Sequence, residues 1–133
     1  MFRSTYQSHI TPPITYKQVA EKFLEVYYNT FDTNFSTLHN FYTPNACITF
    51  ADEEFVRFSD LLNKVVYDYK IYAFHHQNIT YNAQPIGDKL LLITVVGDLH
   101  VNAFDGGRFT ETILLTKDDI NRYYIANSIF KVI

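Results

Sequence analysis

The chain has 133 residues, of which 47% are hydrophobic and 17% aromatic, and its formal net charge is −3. A chain of this length builds one hydrophobic core, and its hydrophobic fraction is too high for an intrinsically disordered protein. No two Lys or Arg residues are adjacent, so nothing is suited to neutralising a nucleic-acid backbone or an anionic membrane. We therefore expect one folded domain that binds neither nucleic acid directly nor a membrane.

A single cysteine, Cys47, excludes an internal disulfide and a cysteine metal cluster. Histidines at zinc-type spacing are also missing, so no metal or cofactor is expected. The N-terminus lacks the apolar segment of a signal peptide, and no stretch of eighteen apolar residues occurs. These features are typical of a cytosolic or nuclear protein.

The first half of the chain predicts three helices. Residues 1–14 are polar and end in two prolines, which indicates a flexible lead-in before a domain at 15–133. Thr15 and Gln18 fit a capping box ahead of a first helix of about four turns. Thr33 and Asn34 can cap a short second helix, and Ser59 precedes a third.

The second half of the chain is rich in β-branched and aromatic residues separated by turn sequences. The predicted strands are 69–83, 89–102, 108–117 and 122–132, with a short earlier strand at 47–50. Three hairpins would join the last four strands into an antiparallel meander. Helices first and strands afterwards predict an α+β fold, with three N-terminal helices packed on a curved antiparallel sheet.

Both phases of the last strand carry apolar side chains. Tyr123, Ile125 and Ile129 share one phase, whereas Tyr124, Ala126 and Phe130 belong to the other. Both sheet faces are therefore expected to be covered, most simply by a second protein chain. The alternative is that the helices and the curvature of the sheet shield the second face.

The segment 20–32 resembles the opening helix of the nuclear transport factor 2 family, with Phe23, the pair Tyr27-Tyr28 and the closing Asp32. Similar segments follow in the family's order from about residue 16 to the C-terminus: 38–42, 47–50, 83–85, 96–99, 108–109 and 123–131. The resemblance implies a cone-shaped fold that pairs sheet to sheet, as a homodimer or as a heterodimer with a related domain. It also implies a transport factor of the nucleus, cytoplasm and nuclear pore that binds phenylalanine-glycine repeats of nucleoporins.

Two branches of the family carry different partners. One imports the GDP form of the small GTPase Ran, and the other is the small partner of the messenger RNA export receptor. The import branch has an aromatic and then an acid at the end of the short strand; here Phe50 is followed by Ala51, and the acids are Asp52 and Glu53. Phe50 could contribute to a repeat-binding groove, or it could be an ordinary core residue.

Other positions match the family with alternatives left open. The import branch has acids in the loop after the Gly-Asp-Leu strand, where this chain has Asn102, Phe104 and one carboxylate, Asp105. His76 matches a family histidine and is either a partner contact or structural. Lys131 stands where the family often has Arg, and it either pairs with an acid across a dimer or is solvated. The missing acids favour the export branch, whereas the segments 31–33 and 96–99 favour the import branch.

The same fold also contains isomerases and dehydratases, which need a buried carboxylate or histidine as a general base. Asp98, Glu111 and His76 are the candidates, but no sequence spacing pairs them, and His75 and His76 point to opposite sides of a strand. Cys47 lies in an apolar strand, where a cysteine is usually an inert core residue. We therefore expect no catalytic residues and a protein that works by binding.

Overall fold

A computed structural model of the protein describes residues 15–102 and 104–133, and for Asp105 the main chain alone. The predicted lead-in 1–14 lies outside the described residues. Helix α1 spans Tyr16–Thr33, a 3₁₀ helix spans Phe35–Phe41, and α2 spans Phe58–Asn63 and continues as a π-helical turn at Lys64–Asp68. The strands are β1 Tyr42–Phe50, β2 Glu53–Phe55, β3 Phe74–Ile86, β4 Leu90–Val101, β5 Phe104–Lys117 and β6 Tyr123–Val132.

Helix α1 begins with the predicted capping box. The Gln18 amide donates to Thr15 Oγ1 at 3.2 Å, and the Thr15 amide donates to Gln18 Oε1 at 2.8 Å. The helix has 18 residues, about five turns rather than four, and none of its described length is apolar enough to cross a membrane. Its buried face carries the side chains that anchor it to the sheet: Ala20, Leu24, Tyr27, Tyr28 and Phe31.

The second and third helices exist, but their starts differ from the prediction. Thr33 is the last residue of α1, where its hydroxyl donates to the Asn29 carbonyl at 2.7 Å, so it is not a cap for the next helix. Asn34 holds the cap position of the 3₁₀ helix without a side-chain capping bond. Arg57, rather than Ser59, precedes α2.

The sheet has six strands in the order β2-β1-β6-β5-β4-β3. Strands β3 to β6 form the predicted antiparallel meander. Strand β1, however, pairs with β6 in parallel, so the sheet is mixed and not wholly antiparallel. The long connection through α2 and the meander permits parallel pairing, and side-chain alternation alone does not specify strand direction.

Several strand bounds were predicted wrongly for local reasons. Residues 64–69 are helical or capping, and Lys70 adopts a left-handed φ of 57°, so β3 begins at Phe74 rather than at residue 69. Strand β2 has three residues, too few for an alternation pattern, and was not predicted. Strand β5 begins four residues early, at Phe104.

A β-bulge in β6 changes which of its residues share a face. Leu115 lies opposite Ile125 and Leu114 lies opposite Asn127, so Ala126 is the extra residue on β6. The bulge places Ile125 in the core, whereas Ile129 is 52% exposed. The prediction that these two isoleucines share a side was therefore wrong.

One face of the sheet packs under the helices and forms the core. On β4 and β5 the buried side chains alternate with half-buried or exposed ones that form the opposite face. We call this second surface the outer face and define it by Leu92, Thr94, Thr112, Leu114 and Ile129. Cys47 is exposed beside it and is not a core residue, contrary to the expectation.

Candidate functional site

A buried carboxyl group lies at the centre of the core. Glu111 is 1% exposed and follows the core phase of β5, between Phe109 and Ile113. Its oxygens accept hydrogen bonds from the hydroxyls of Tyr27 at 2.9 Å, Tyr28 at 2.8 Å and Ser128 at 2.9 Å. These contacts join α1, β5 and β6 through one side chain.

The protonation of this cluster follows from its burial. Burial raises the pKa of Glu111, although the three donated hydrogen bonds lower it in part. Burial and the neighbouring Glu111 carboxyl raise the pKa of Tyr27 and of Tyr28, so both hydroxyls keep the protons that they donate. The sequence analysis singled out Glu111, but it did not predict the three hydroxyl groups that donate to it. A charged residue in the core phase of a strand was the signal available.

A second buried pair connects α1 to β3. His76 Nδ1 lies 2.6 Å from Asp32 Oδ1, and the His76 amide donates to Asp32 Oδ2 at 2.9 Å. The imidazole lies against the rings of Tyr28 and Phe31, and each ring centroid is 4.6 Å from the imidazole centroid. Its Nε2 has no hydrogen-bond partner among the described residues. Since the His76 side chain is 1% exposed, the geometry matches the structural role left open in the sequence.

The predicted residues at the end of β1 lie close together. Phe50 is 5% exposed and stacks on Phe130 with ring centroids 4.7 Å apart, so it belongs to the core. Asp52 follows at a left-handed φ of 73°, and its carboxylate accepts from Lys131 Nζ at 3.0 Å. Lys131 thus pairs with an acid of its own chain, and a contact across a dimer stays a prediction. A repeat contact by Phe50 stays a prediction.

Glu53 is held by two neighbours at the surface. Its carboxylate accepts from the Tyr69 hydroxyl at 2.6 Å and lies 3.4 Å from Lys64 Nζ. The hydrogen bond from Tyr69, more than the charge of Lys64, lowers the pKa of Glu53. Glu53 therefore remains an anion next to the Asp52–Lys131 pair.

Asn102 organises the turn between β4 and β5. It adopts a left-handed φ of 57°, and its Oδ1 accepts from the amides of Tyr72 at 2.8 Å and Ala73 at 3.2 Å. Its Nδ2 donates to the Lys70 carbonyl at 3.1 Å. The side chain is thus used within the chain, whereas Phe104 beyond the turn is 76% exposed and Tyr72 is 75% exposed. The sequence analysis did not identify Tyr72 as a candidate contact residue.

A hollow of about 580 Å³ lies between the start of α1 and the β5–β6 turn. Its apolar lining comes from Val19, Phe23 and Tyr123, and Lys22 and Lys117 contribute positive charge. Glu111 and His76 line neither this hollow nor the one described below, among the residues that the structure describes. Within the same residues, no group of three or more His, Cys, Asp or Glu is placed to hold a metal ion.

Comparisons with known proteins agree with this architecture. The model of the nuclear transport factor 2 domain matches residues 19–132. Nuclear transport factor 2 of Eremothecium gossypii is 33% identical over 88% of this chain and 94% of its own length, and that of Saccharomyces cerevisiae is 32% identical over 90% and 95%. The solved structure of nuclear transport factor 2 from Cryptosporidium parvum superposes with a TM-score of 0.76 at 24% identity, over 89% of this chain and 94% of that one.

The fold is shared with enzymes such as scytalone dehydratase, a likeness at 11% identity that shows the architecture alone. The curated relatives, in contrast, are named as transport factors. Both the matched segment and the identity along nearly the whole chain give the same assignment: the protein belongs to the nuclear transport factor 2 domain family.

Proposed function

We propose that the protein is a non-catalytic nucleocytoplasmic transport factor that dimerises through its sheet, binds phenylalanine-glycine nucleoporins and carries GDP-bound Ran into the nucleus. The observation that carries this proposal is the 33% identity to a protein named nuclear transport factor 2 over 94% of that protein's length. The coarse role follows from the family. The partners are the finer part, and each has its own support in the residues described above.

Dimerisation is supported by the outer face. Leu92, Leu114 and Ile129 give this face an apolar centre that none of the helices among the described residues covers, and the threonines around them are small enough for close approach. Light scattering on the purified protein should therefore give twice the chain mass. Ile129→Arg should give a monomer, whereas Val56→Arg, at a site 67% exposed outside this face, should stay dimeric.

Nucleoporin binding is supported by the hollow at the start of α1. A phenylalanine ring needs an apolar slot, which Val19, Phe23 and Tyr123 provide, whereas Phe50 is enclosed. Val19→Glu should abolish binding of a phenylalanine-glycine peptide, measured by fluorescence anisotropy. Val26→Glu, on an exposed part of the same helix, is the matched control and should bind normally.

Ran binding is tested by calorimetric titration with the GDP form, with the GTP form as control. The carboxylates available are Asp52 and Glu53, each already paired with a lysine of this chain, and Asp105. Binding specific to the GDP form, weakened by Asp52→Asn or Asp105→Asn, supports the import role. Equal binding of both nucleotide forms contradicts it.

The second candidate is the small partner of the messenger RNA export receptor. It is favoured by the β4–β5 turn, where Asn102 is used internally and the aromatic Phe104 is an exposed side chain among the described residues, and where the sequence has a single acid, Asp105. In this case Ran titration gives no heat, and the protein forms a heterodimer through the outer face. Ile129→Arg then prevents that heterodimer.

A further inference from the structure

A second hollow, of about 300 Å³, lies where α1, the 3₁₀ helix, α2 and the start of β3 meet. Its volume is at the lower end of the ~300–1,000 Å³ range of small-ligand sites. Aromatic residues from each side line it, of which Tyr72 is exposed, Phe35 is half-buried, and Phe31 and Phe74 are buried. It lies at the opposite end of α1 from the hollow at Val19, so it is a separate site.

The hollow has one acidic side chain among the described residues. Asp32 is the charged residue among the described residues that line it, and its side chain is 17% exposed. Each Asp32 oxygen accepts one hydrogen bond from His76, which leaves acceptor capacity on both oxygens. The C-terminal end of α1 adds partial negative charge, and its last turn contains no basic residue.

An exposed aromatic ring at the same hollow as a carboxylate favours a cation with a flat, weakly hydrated surface. A guanidinium group stacks on aromatic rings and donates to carboxylate oxygens, whereas a lysine ammonium is compact and more strongly hydrated. Tyr72 is placed for the first contact, because Asn102 fixes its backbone and its ring is 75% exposed. An anionic or purely apolar ligand would donate nothing to the acceptor positions that His76 leaves open on Asp32.

From this combination we infer that the hollow binds an arginine side chain of a partner protein, with the guanidinium on Tyr72 and directed to Asp32. This site goes beyond the proposed function and does not depend on it, because none of its lining residues belongs to the outer face or to the slot proposed for nucleoporin repeats. The occupant is an arginine presented on a polypeptide. Lysine-bearing and neutral peptides provide the comparison.

The test is an NMR titration of the full chain with the capped tripeptide acetyl-Gly-Arg-Gly-amide. We expect amide shifts in residues 32–36 and 71–74 that saturate in the millimolar range. The citrulline peptide, which has the same shape and no charge, should give none, and the lysine peptide should bind several-fold more weakly. Shifts of equal size with the citrulline peptide, or none up to about 10 mM arginine peptide, would overturn the inference.

Variants separate the site from the stability of the fold. Tyr72→Ala removes an exposed ring and should weaken arginine-peptide binding about two- to fivefold. Tyr67→Ala removes an equally exposed ring outside this hollow and should bind as the parent does. Asp32→Asn should weaken binding about tenfold or more. Equal affinities of Tyr72→Ala and Tyr67→Ala would contradict the site even if Asp32→Asn failed to fold.

Discussion

The Tyr27 hydroxyl donates to Glu111 Oε2 at 2.9 Å across 84 positions of sequence, and this bond joins helix α1 to the middle of the sheet. Because Tyr28 and Ser128 donate to the same carboxyl group, a single acid fixes the helix against β5 and β6. A buried group with three donors is costly to place but specifies one arrangement of the elements. The cluster therefore contributes to the uniqueness of the fold more than to its net stability.

The first prediction concerns the pH dependence of stability. Burial raises the pKa of Glu111 above its value of about 4.3 in an unfolded chain, so the folded state binds this proton more tightly. The contribution of Glu111 to the free energy of unfolding is therefore greatest below pH about 4.3 and is lost as the pH rises through the folded pKa. Glu111→Gln removes this titration.

Urea unfolding over a pH series measures the effect. The stability of the parent relative to Glu111→Gln should decrease from acid to neutral pH. Glu21→Gln removes a carboxylate from the exposed side of α1 and controls for the change in net charge. If the free energies of unfolding of the parent and of Glu111→Gln change with pH in parallel, the Glu111 carboxyl has the same pKa in the folded and unfolded states, which contradicts the prediction.

The second prediction concerns the Asp32–His76 pair. Asp32→Ala leaves the His76 amide and Nδ1 buried without an acceptor, which should lower the free energy of unfolding by about 2–5 kcal/mol. Asp60→Ala breaks an exposed pair with Arg57 and should cost less than about 1 kcal/mol. Urea unfolding of the two variants measures both changes in the free energy of unfolding. Equal decreases would mean that the buried hydrogen bonds contribute no more than a surface ion pair.

Local chemistry made the secondary structure largely predictable from the sequence. Thr15 and Gln18 encode the start of α1, and alternating side chains encode the meander, since both depend on neighbours along the chain. The parallel pairing of β1 with β6 depends on the path of the whole chain and was not predictable. The bulge at Ala126 was hidden as well, because one extra residue changes the face of those beyond it.

The candidate site was predictable as residue types but not as partners. Glu111 and His76 stand out as polar residues in core phases, yet Tyr28 and Asp32 become their neighbours only once α1 lies across the sheet. The backbone position of Tyr72 likewise depends on a hydrogen bond that its amide donates to Asn102, thirty positions away. Distances of this kind are set by tertiary packing and leave no periodic pattern in a sequence.

The third prediction concerns the turn that displays Tyr72. Asn102→Ala removes the side-chain oxygen that accepts from the amides of Tyr72 and Ala73, and it puts alanine at a φ of 57°. The free energy of local unfolding at this turn should therefore fall by about 1–3 kcal/mol. Hydrogen exchange at the Tyr72 and Ala73 amides should accelerate. Asn121→Ala is matched because Asn121 also has a left-handed φ, of 65°. Faster exchange at residues 72 and 73 in the Asn121 variant would point to a general loss of stability.

The last prediction separates core aromatics from surface aromatics. Phe50 stacks on Phe130 at 4.7 Å and meets Phe74 at 6.3 Å, so Phe50→Ala should lower the free energy of unfolding by about 3–5 kcal/mol. Phe104 is 76% exposed, and Phe104→Ala should change it by less than about 0.5 kcal/mol. Urea unfolding of the two variants measures the difference.

This difference determines how a binding result is interpreted. A loss of nucleoporin binding in Phe50→Ala could reflect partial unfolding, so Phe50→Leu, which keeps most of the buried volume and should cost about 1 kcal/mol, is the variant to assay. If Phe50→Leu binds repeats as the parent does, Phe50 serves the core alone. If Phe50→Ala is instead as stable as Phe104→Ala, the Phe50 ring is not part of the core and is available as a surface contact for nucleoporin repeats.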